Sequence, residues 1–380
     1  MDFSLTREQK LIKKSILEFA KKELNEIPPE YEKNGRFNRQ AWEKCADFGL
    51  LGLSIPQKYG GQGLDLVTCA VIMEALGYAC EDSGLLFSIN SQIWTCGSPI
   101  LKYGTEAQKD RYLPGLVKGT FVGGHAMTET DSGSDAFSMK CEAHKEGDKY
   151  ILNGNKIFIT NAPIADFLIV FAVTDPSKKF AGISAFIVEK NFPGFSVGEP
   201  IEMMGLRTSP IGEVILNNCE VPAANLLGKE GAGHSIFNSE MEEERSCLFA
   251  THLGAMEKMM KDCVKYTSGR HQFGKALNKN QAISHKIADM KVRVELSRLI
   301  LYKVAHMKDS GKRAYVESAI AKLFISEGCV QTFMDAVQIH GAYGYCTEFG
   351  VERKLRDSIA SKIYSGSSEI QRNLIADFLN

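Results

Sequence analysis

The 380-residue sequence contains no run of about 20 apolar residues, the length that a membrane-spanning helix needs. It also lacks a block of charge of either sign. Its 45 Lys and Arg stand against 46 Asp and Glu, a formal net charge of −1, so charge gives no support to nucleic-acid binding. No GxGxxG follows a strand-like segment and no P-loop occurs, which disfavours the dinucleotide folds built on those turns. The ten cysteines form no CxxC pair; no metal site is expected, disulfides are not required, and a reducing cytoplasm fits.

What is present is ordinary globular composition, 44% hydrophobic and 24% charged, at a length that calls for two or three packed domains. Leu5 to Leu24 is amphipathic and lysine-rich, but Glu8, Glu18 and Glu23 argue against a transit peptide. Thr6 and Gln9 have the spacing of a capping box, which predicts an ordinary first helix. Residues 1–118 read as helical, with Leu11, Ile12, Ile16 and Phe19 at helical spacing and a loop at Pro56–Gly63. Residues 119–225 read as a β domain. Tyr150-Ile151-Leu152 and Ile157–Thr160 are predicted as two strands around an Asn153-Gly154 hairpin turn, with further strands at 167–173, 183–188 and 214–216. Residues 226–380 return to helices. Segments 239–266, 281–308 and 314–340 are long enough to pack side by side as a bundle.

Several clusters carry possible chemistry. Ala126-Met127-Thr128-Glu129-Thr130-Asp131-Ser132-Gly133-Ser134-Asp135 is a hydroxyl-rich turn that can offer N–H and O–H groups to a ring or a phosphate; a plain surface turn is the simpler reading. Phe158 and Thr160, two apart on a strand, share one face, which suits stacking but also suits a sheet core. Arg270, Gln272 and Phe273, with Gln281 after a short loop, can hold a pyrophosphate and an adenine, or can simply end a helix. Gln338–Gly344 and Ile363–Arg372 complete the set, with Ser367 or Ser368 placed to cap a last helix.

In order along the chain, Thr128-Glu129…Gly133-Ser134-Asp135, Asn153-Gly154-Asn155-Lys156, Ile159-Thr160-Asn161, Met204-Gly205-Leu206-Arg207, Arg270…Phe273-Gly274, Gln338…Gly341 and Gly366…Ile370-Gln371-Arg372 together resemble the acyl-CoA dehydrogenase family, nearly end to end. The resemblance implies a mainly α fold with a central β domain: an N-terminal helical domain, a small β-barrel or sandwich, and a C-terminal four-helix bundle. It implies FAD, held by Met127, Thr128, Gly133, Ser134, Phe158 and Thr160. Arg270, Gln272, Phe273 and Gln281 would act across a dimer contact, with Gln338 and Gly341 nearby and Ser367 closing the site. Ser134 would also lie near substrate, and a homotetramer, a dimer of dimers, is implied.

One position departs from the family pattern. The usual catalytic carboxylate of a Tyr-Glu-Gly-Thr segment is replaced in Tyr364-Ser365-Gly366-Ser367. A branch of the family that resembles isovaleryl- and long-chain acyl-CoA dehydrogenases takes its carboxylate from a helix, immediately before an arginine, and Glu244-Arg245 stands there. On a helical wheel Phe237, Met241 and Leu248 fall within about 60° of Glu244, whereas Glu242 and Glu243 point about 160° and 100° away. Glu244 is therefore the expected base, desolvated on an apolar stripe, with Glu240 one turn earlier as its rival. Arg245 is expected beside the base, at the substrate or as a buried structural group.

Ile157–Asp166 and the Ser365-Gly366 variant look like the prolyl-carrier-protein dehydrogenases of pyrrole-forming and anatoxin-type secondary metabolism. This implies a prolyl thioester on an acyl or peptidyl carrier protein, converted to a pyrroline or pyrrole thioester. The alternatives are a short branched-chain acyl-CoA dehydrogenase and a flavin-binding protein without dehydrogenase activity.

Overall fold

The computed structural model describes residues 4–25 and 29–379, the side chain of Pro29 apart. The N-terminal helices are α1 (Arg7–Glu23), α2 (Pro29–Lys33), α3 (Arg39–Asp47), α4 (Leu66–Ala79), α5 (Ser83–Gln92), α6 (Ser98–Tyr103) and α7 (Glu106–Val117). The Thr6–Gln9 capping box forms as the spacing predicted: each side chain bonds the other's backbone N–H. A π-helical turn at Ile93–Gly97 joins α5 to α6, so the two run on as one buried rod.

The β domain contains β1 (Gly123–Ala126), β2 (Glu142–Glu146), β3 (Lys149–Thr160), β4 (Phe167–Val173), β5 (Ile183–Glu189), β6 (Phe195–Val197), β7 (Ile211–Pro222) and β8 (Leu226–Leu227). Strand order is β6-β7-β3-β2-β4-β5-β8, with β1 parallel to β4. Strand β4 is apolar on both faces because it serves two layers. Leu168, Val170 and Ala172 pack toward Leu152, Val214 and Leu216 of the β3–β7 layer. Phe167, Ile169 and Phe171 pack toward Ile100, Tyr112, Leu116 and Ile236 of the helices.

The predicted hairpin at Asn153-Gly154 does not form. Strand β3 is continuous through these residues, with a register shift against β7, and the turn lies earlier, at Gly147 (φ +63°) between β2 and β3. Gly154 (φ +145°) is required by close approach: a Cβ there would lie 2.7 Å from Cys141 Cα.

The C-terminal part comprises α8 (Gly233–Gly269), a hairpin of β9 (His271–Gln272) and β10 (Lys275–Ala276), then α9 (Gln281–Asp309), α10 (Tyr315–His340), α11 (Ala342–Tyr345), α12 (Val351–Ile359) and α13 (Ser368–Leu379). Helix α8 is central, packed on α4, α9, α10 and β5. Among the described residues no helix is long and apolar enough to cross a membrane.

Helices α4 and α8 cross on glycines. A Cβ on Gly77 would stand 1.9 Å from Thr251 O, and one on Gly254 would stand 2.0 Å from Glu74 O. Forcing backbones apart costs about 1–3 kcal/mol or more, against about 1 kcal/mol regained in helix propensity. Gly254→Ala is therefore expected to lower the denaturant midpoint; an unchanged midpoint would mean that the crossing yields freely.

Candidate active site

Helix α8 brings five charged residues, Glu240 and Glu242 to Arg245, into the interior. The wheel orders their directions correctly, but Glu242 and Glu243 do not face water as a charge run ordinarily would. Because α8 is surrounded on all sides, each carboxylate has its own neighbour. Glu242 Oε2 accepts from Lys308 Nζ at 2.9 Å and Ala314 N at 3.3 Å. Glu243 accepts from Ser98 Oγ at 2.6 Å and pairs with the Lys102 ammonium. Glu240 Oε1 lies 2.6 Å from His125 Nδ1.

Glu244 meets the Tyr364–Ser367 segment. Its Oε1 accepts from Ser365 Oγ at 2.9 Å, while its Oε2 is buried with no hydrogen-bond partner among the described residues. Burial raises its pKa; the Ser365 hydrogen bond and the charges of His125, Arg245 and Lys322 pull the other way. Burial likewise pushes Glu240 up to about 7, against the opposing charge of His125. Lys322, fully buried near the same carboxylate, is driven down to about 7 by burial and then by Arg245. Shifted groups of this kind belong to a buried interior rather than a solvated surface and make the cluster a candidate site.

The serine that stands in the Tyr364–Ser367 segment is thus a partner of the Glu244 carboxylate. Ser365 adopts φ +55° and Gly366 φ +85°, a tight turn that aims Ser365 Oγ at the helix. The turn is clamped by its carbonyls: Ser365 O accepts from Arg245 Nε at 3.0 Å and Gln371 Nε2 at 3.2 Å, and Gly366 O accepts from Gln371 Nε2 at 2.9 Å. Arg245, expected at the substrate or as a structural group, is buried and spends Nε on this loop, an orienting position. Ser367 Oγ caps α13 by accepting from Ile370 N at 3.4 Å.

A test of the serine follows from the sign of its effect. The Ser365 hydrogen bond lowers the Glu244 pKa, so Ser365→Ala leaves that pKa higher. Activity that needs ionised Glu244 is present above this pKa and lost as pH falls through it. The acid limb of kcat/KM is therefore expected to move to higher pH in Ser365→Ala. An unmoved limb would show that the hydroxyl does not hold the carboxylate in solution.

Next to this centre, β1 runs from His125 into Met127 and Thr128. Thr128 O accepts from Ile157 N at 2.9 Å, which sets this segment beside Phe158 and Thr160. Lys156, wholly buried, ties the two together: its Nζ donates to Met127 O at 3.1 Å and to Glu129 Oε1 at 2.7 Å. Phe158 sits at φ +58° where β3 shifts register between Lys156 and Ile159. Ile159 turns inward, and Phe158 stands 55% exposed beside half-buried Thr160. A strained, exposed aromatic suits a planar ring laid over it. Gly133 and Ser134 lie in the exposed turn beyond, where a Cβ on Gly133 would meet nothing within 4 Å.

The remaining expected residues are elsewhere. Arg270 caps the far end of α8, 26 residues from Glu244, or about 39 Å at 1.5 Å per residue. Gln272 and Phe273 follow in the β9–β10 hairpin, whose turn is Phe273-Gly274 with φ +53° and +74°. Phe273 is 95% exposed, and Gln281 is exposed at the start of α9. Tyr266 stacks on His340 at 4.2 Å, so Gln338 and Gly341 share this end of the bundle. Along α8 this second group lies far from Glu244.

Two features escaped the sequence reading: His125 as the partner of Glu240, and the role of Lys156. For Lys156 a signal existed. Tyr150, Leu152 and Lys156 have the same parity along β3, so the lysine falls on the buried face.

The fold agrees with the family models. Those for the N-terminal, middle and C-terminal domains of acyl-CoA dehydrogenase match residues 6–120, 124–219 and 231–380, and the chain belongs to this family. It is 41% identical over 377 residues, 99% of each chain, to an L-prolyl-[peptidyl-carrier protein] dehydrogenase of Pseudomonas fluorescens. Among solved structures it resembles the prolyl acyl carrier protein oxidase AnaB, with 46% identity, TM-score 0.97 and coverage of 99% of this chain and 100% of that one. It also resembles PigA with FAD and proline, at 38% identity and TM-score 0.97, over 100% of this chain and 99% of that one.

Proposed function

We propose that this protein is an FAD-dependent dehydrogenase of L-prolyl thioesters carried on an acyl or peptidyl carrier protein. The observation that carries the reading is the buried Glu244 carboxylate, one oxygen fixed by Ser365 and the other without a partner among the described residues, in a chain similar over its full length to prolyl-carrier enzymes.

The residues present fit FAD. Thr128, Phe158 and Thr160 supply one exposed aromatic and two hydroxyls for the ring system, with Gly133 and Ser134 exposed in the turn that follows; the Met127 side chain is buried in the core, which leaves its backbone for the cofactor. Arg270, Gln272, Phe273, Gln281, Gln338 and Gly341 suit the remainder of the cofactor. Their distance from Glu244 along α8 supports a dimer in which each copy lends this end to the other's site, and a homotetramer built from two such dimers. Bound FAD supplies the two-electron acceptor for the hydride that leaves Cβ.

The chain's own residues supply the proton chemistry. Ser365 holds Glu244 Oε1, which directs Oε2 toward the substrate Cα. Burial raises the carboxyl's pKa and strengthens it as a base for the α-proton of a thioester. Arg245 and Gln371 keep Ser365 in register through the loop carbonyls. The buried setting also excludes water from the carbanion-like transition state.

The test is selectivity. Purified protein is expected to turn over L-prolyl-carrier protein with a kcat/KM well above that for butyryl-CoA or isovaleryl-CoA. The released product should be lighter by two or four hydrogens. Preference for either CoA thioester would make it a short-chain acyl-CoA dehydrogenase with the same base.

A further inference from the structure

Four residues before Glu244, a carboxylate and an imidazole are sunk into an aromatic wall. His125 lies 5.3 Å from the Phe171 ring and 5.7 Å from Phe237, and Phe237 packs on Phe137 at 5.5 Å. The Glu240 side chain is 0% exposed and that of His125 is 16% exposed. Glu240 lies 2.6 Å from His125 Nδ1, and its Oε2 has no partner among the described residues. His125 Nδ1 is buried against Glu240, on a ring that keeps an exposed edge. Burying such a pair among aromatics is costly unless something uses it. A pocket for a plain acyl chain has no use for it.

We propose that the His125–Glu240 pair is the subsite for the amine of the aminoacyl group, with His125 as the contact and Glu240 as its positioning residue. This rests on the prolyl reading above and deepens it. The ring nitrogen of proline is one bond from the carbon that loses its proton to Glu244. Its partner must therefore lie within a side chain's reach of the base. Residues four apart on a helix have Cβ atoms about 5–6 Å apart, on one face. Glu240, Glu244 and His125 are close enough that each charge acts on the others. The aromatic wall of Phe137, Phe171 and Phe237 offers a flat apolar surface to the rest of a five-membered ring.

The proton count balances. Amine and imidazole together hold one proton beyond their neutral forms, shared along the N···Nε2 line, and the Glu240 carboxylate carries the compensating charge. The same arrangement rejects a hydrocarbon ring, which would leave the imidazole unpaired.

The test compares two acyl groups on one carrier protein: L-prolyl and cyclopentanecarbonyl, which has CH2 in place of NH. The wild-type holoenzyme should prefer prolyl. In His125→Phe the ratio of the two kcat/KM values is expected to fall about 10–100-fold, the size of a hydrogen bond to a charged group, with the loss mainly in KM. Glu240→Gln keeps the shape and removes the charge, so its ratio should fall by less. Flavin absorbance and melting temperature check folding, and if His125→Phe does not fold, Glu240→Gln decides. A ratio within about twofold of wild type in the variants overturns the assignment while leaving the prolyl reading intact. A wild type that oxidises acyl-CoA but not prolyl thioester overturns both.

Discussion

Lys156→Met is expected to cost about 3–5 kcal/mol of stability at neutral pH. The ammonium is wholly buried and is, among the described residues, the only side-chain cation on Glu129, whose other donors are the backbone N–H groups of Lys140 and Cys141. Removing it leaves a buried carboxylate without its counter-charge. Against a typical total of about 5–15 kcal/mol, that is a large share. The pH dependence gives a second handle. Burial pushes the Glu129 pKa up, but Lys156 and the two N–H donors outweigh it and hold it below the usual value. A depressed carboxylate contributes stability above its unfolded pKa and loses it as pH falls through the folded pKa. The gap between wild type and Lys156→Met should therefore narrow in acid. Denaturant midpoints at neutral and acid pH measure this, and Glu129→Met in the same chain should recover part of the loss. An equal gap at both pH values would contradict the ion-pair account. Because Lys156 also holds Met127 O, the variant is expected to bind flavin less tightly.

Glu244→Gln is expected to lower kcat on the preferred thioester about 10²–10⁴-fold, the range for loss of a positioned general base. Glutamine has the same shape and can still accept from Ser365, so the loop and the bound flavin should survive. KM should change little, since the carboxylate acts on the reacting carbon rather than on the carrier. Turnover within a few-fold of wild type would remove Glu244 from the chemistry.

The helices were legible because their length and periodicity are local properties. The 239–266, 281–308 and 314–340 segments sit inside α8, α9 and α10 with small shifts at the ends. Strands β4 and β5 were legible as bounded apolar runs. The Asn153-Gly154 turn was misread because a glycine needed for close approach to Cys141 carries the same letters as a hairpin glycine. Only the neighbouring strand distinguishes them, and it is distant information. The burial of Glu244 was legible, since the wheel put it with Met241 and Leu248. What the wheel could not supply was the number of neighbours around α8. With α4, α9, α10 and the β domain all packed on one helix, Glu242 and Glu243 are enclosed too. The hydrogen bond from Ser365, not burial or an unpartnered oxygen, sets Glu244 apart from the other carboxylates of α8. His125 was illegible because its partner lies 115 residues away on another element.

The most direct measurement is anaerobic single-turnover reduction of the bound flavin by L-prolyl-carrier protein, followed by its absorbance, in wild type, Glu244→Gln and Glu240→Gln. The account predicts rapid bleaching in wild type, slower bleaching in Glu240→Gln, and almost none in Glu244→Gln. Bleaching in Glu244→Gln at the wild-type rate, or its loss in Glu240→Gln alone, would contradict the assignment of Glu244 as the base.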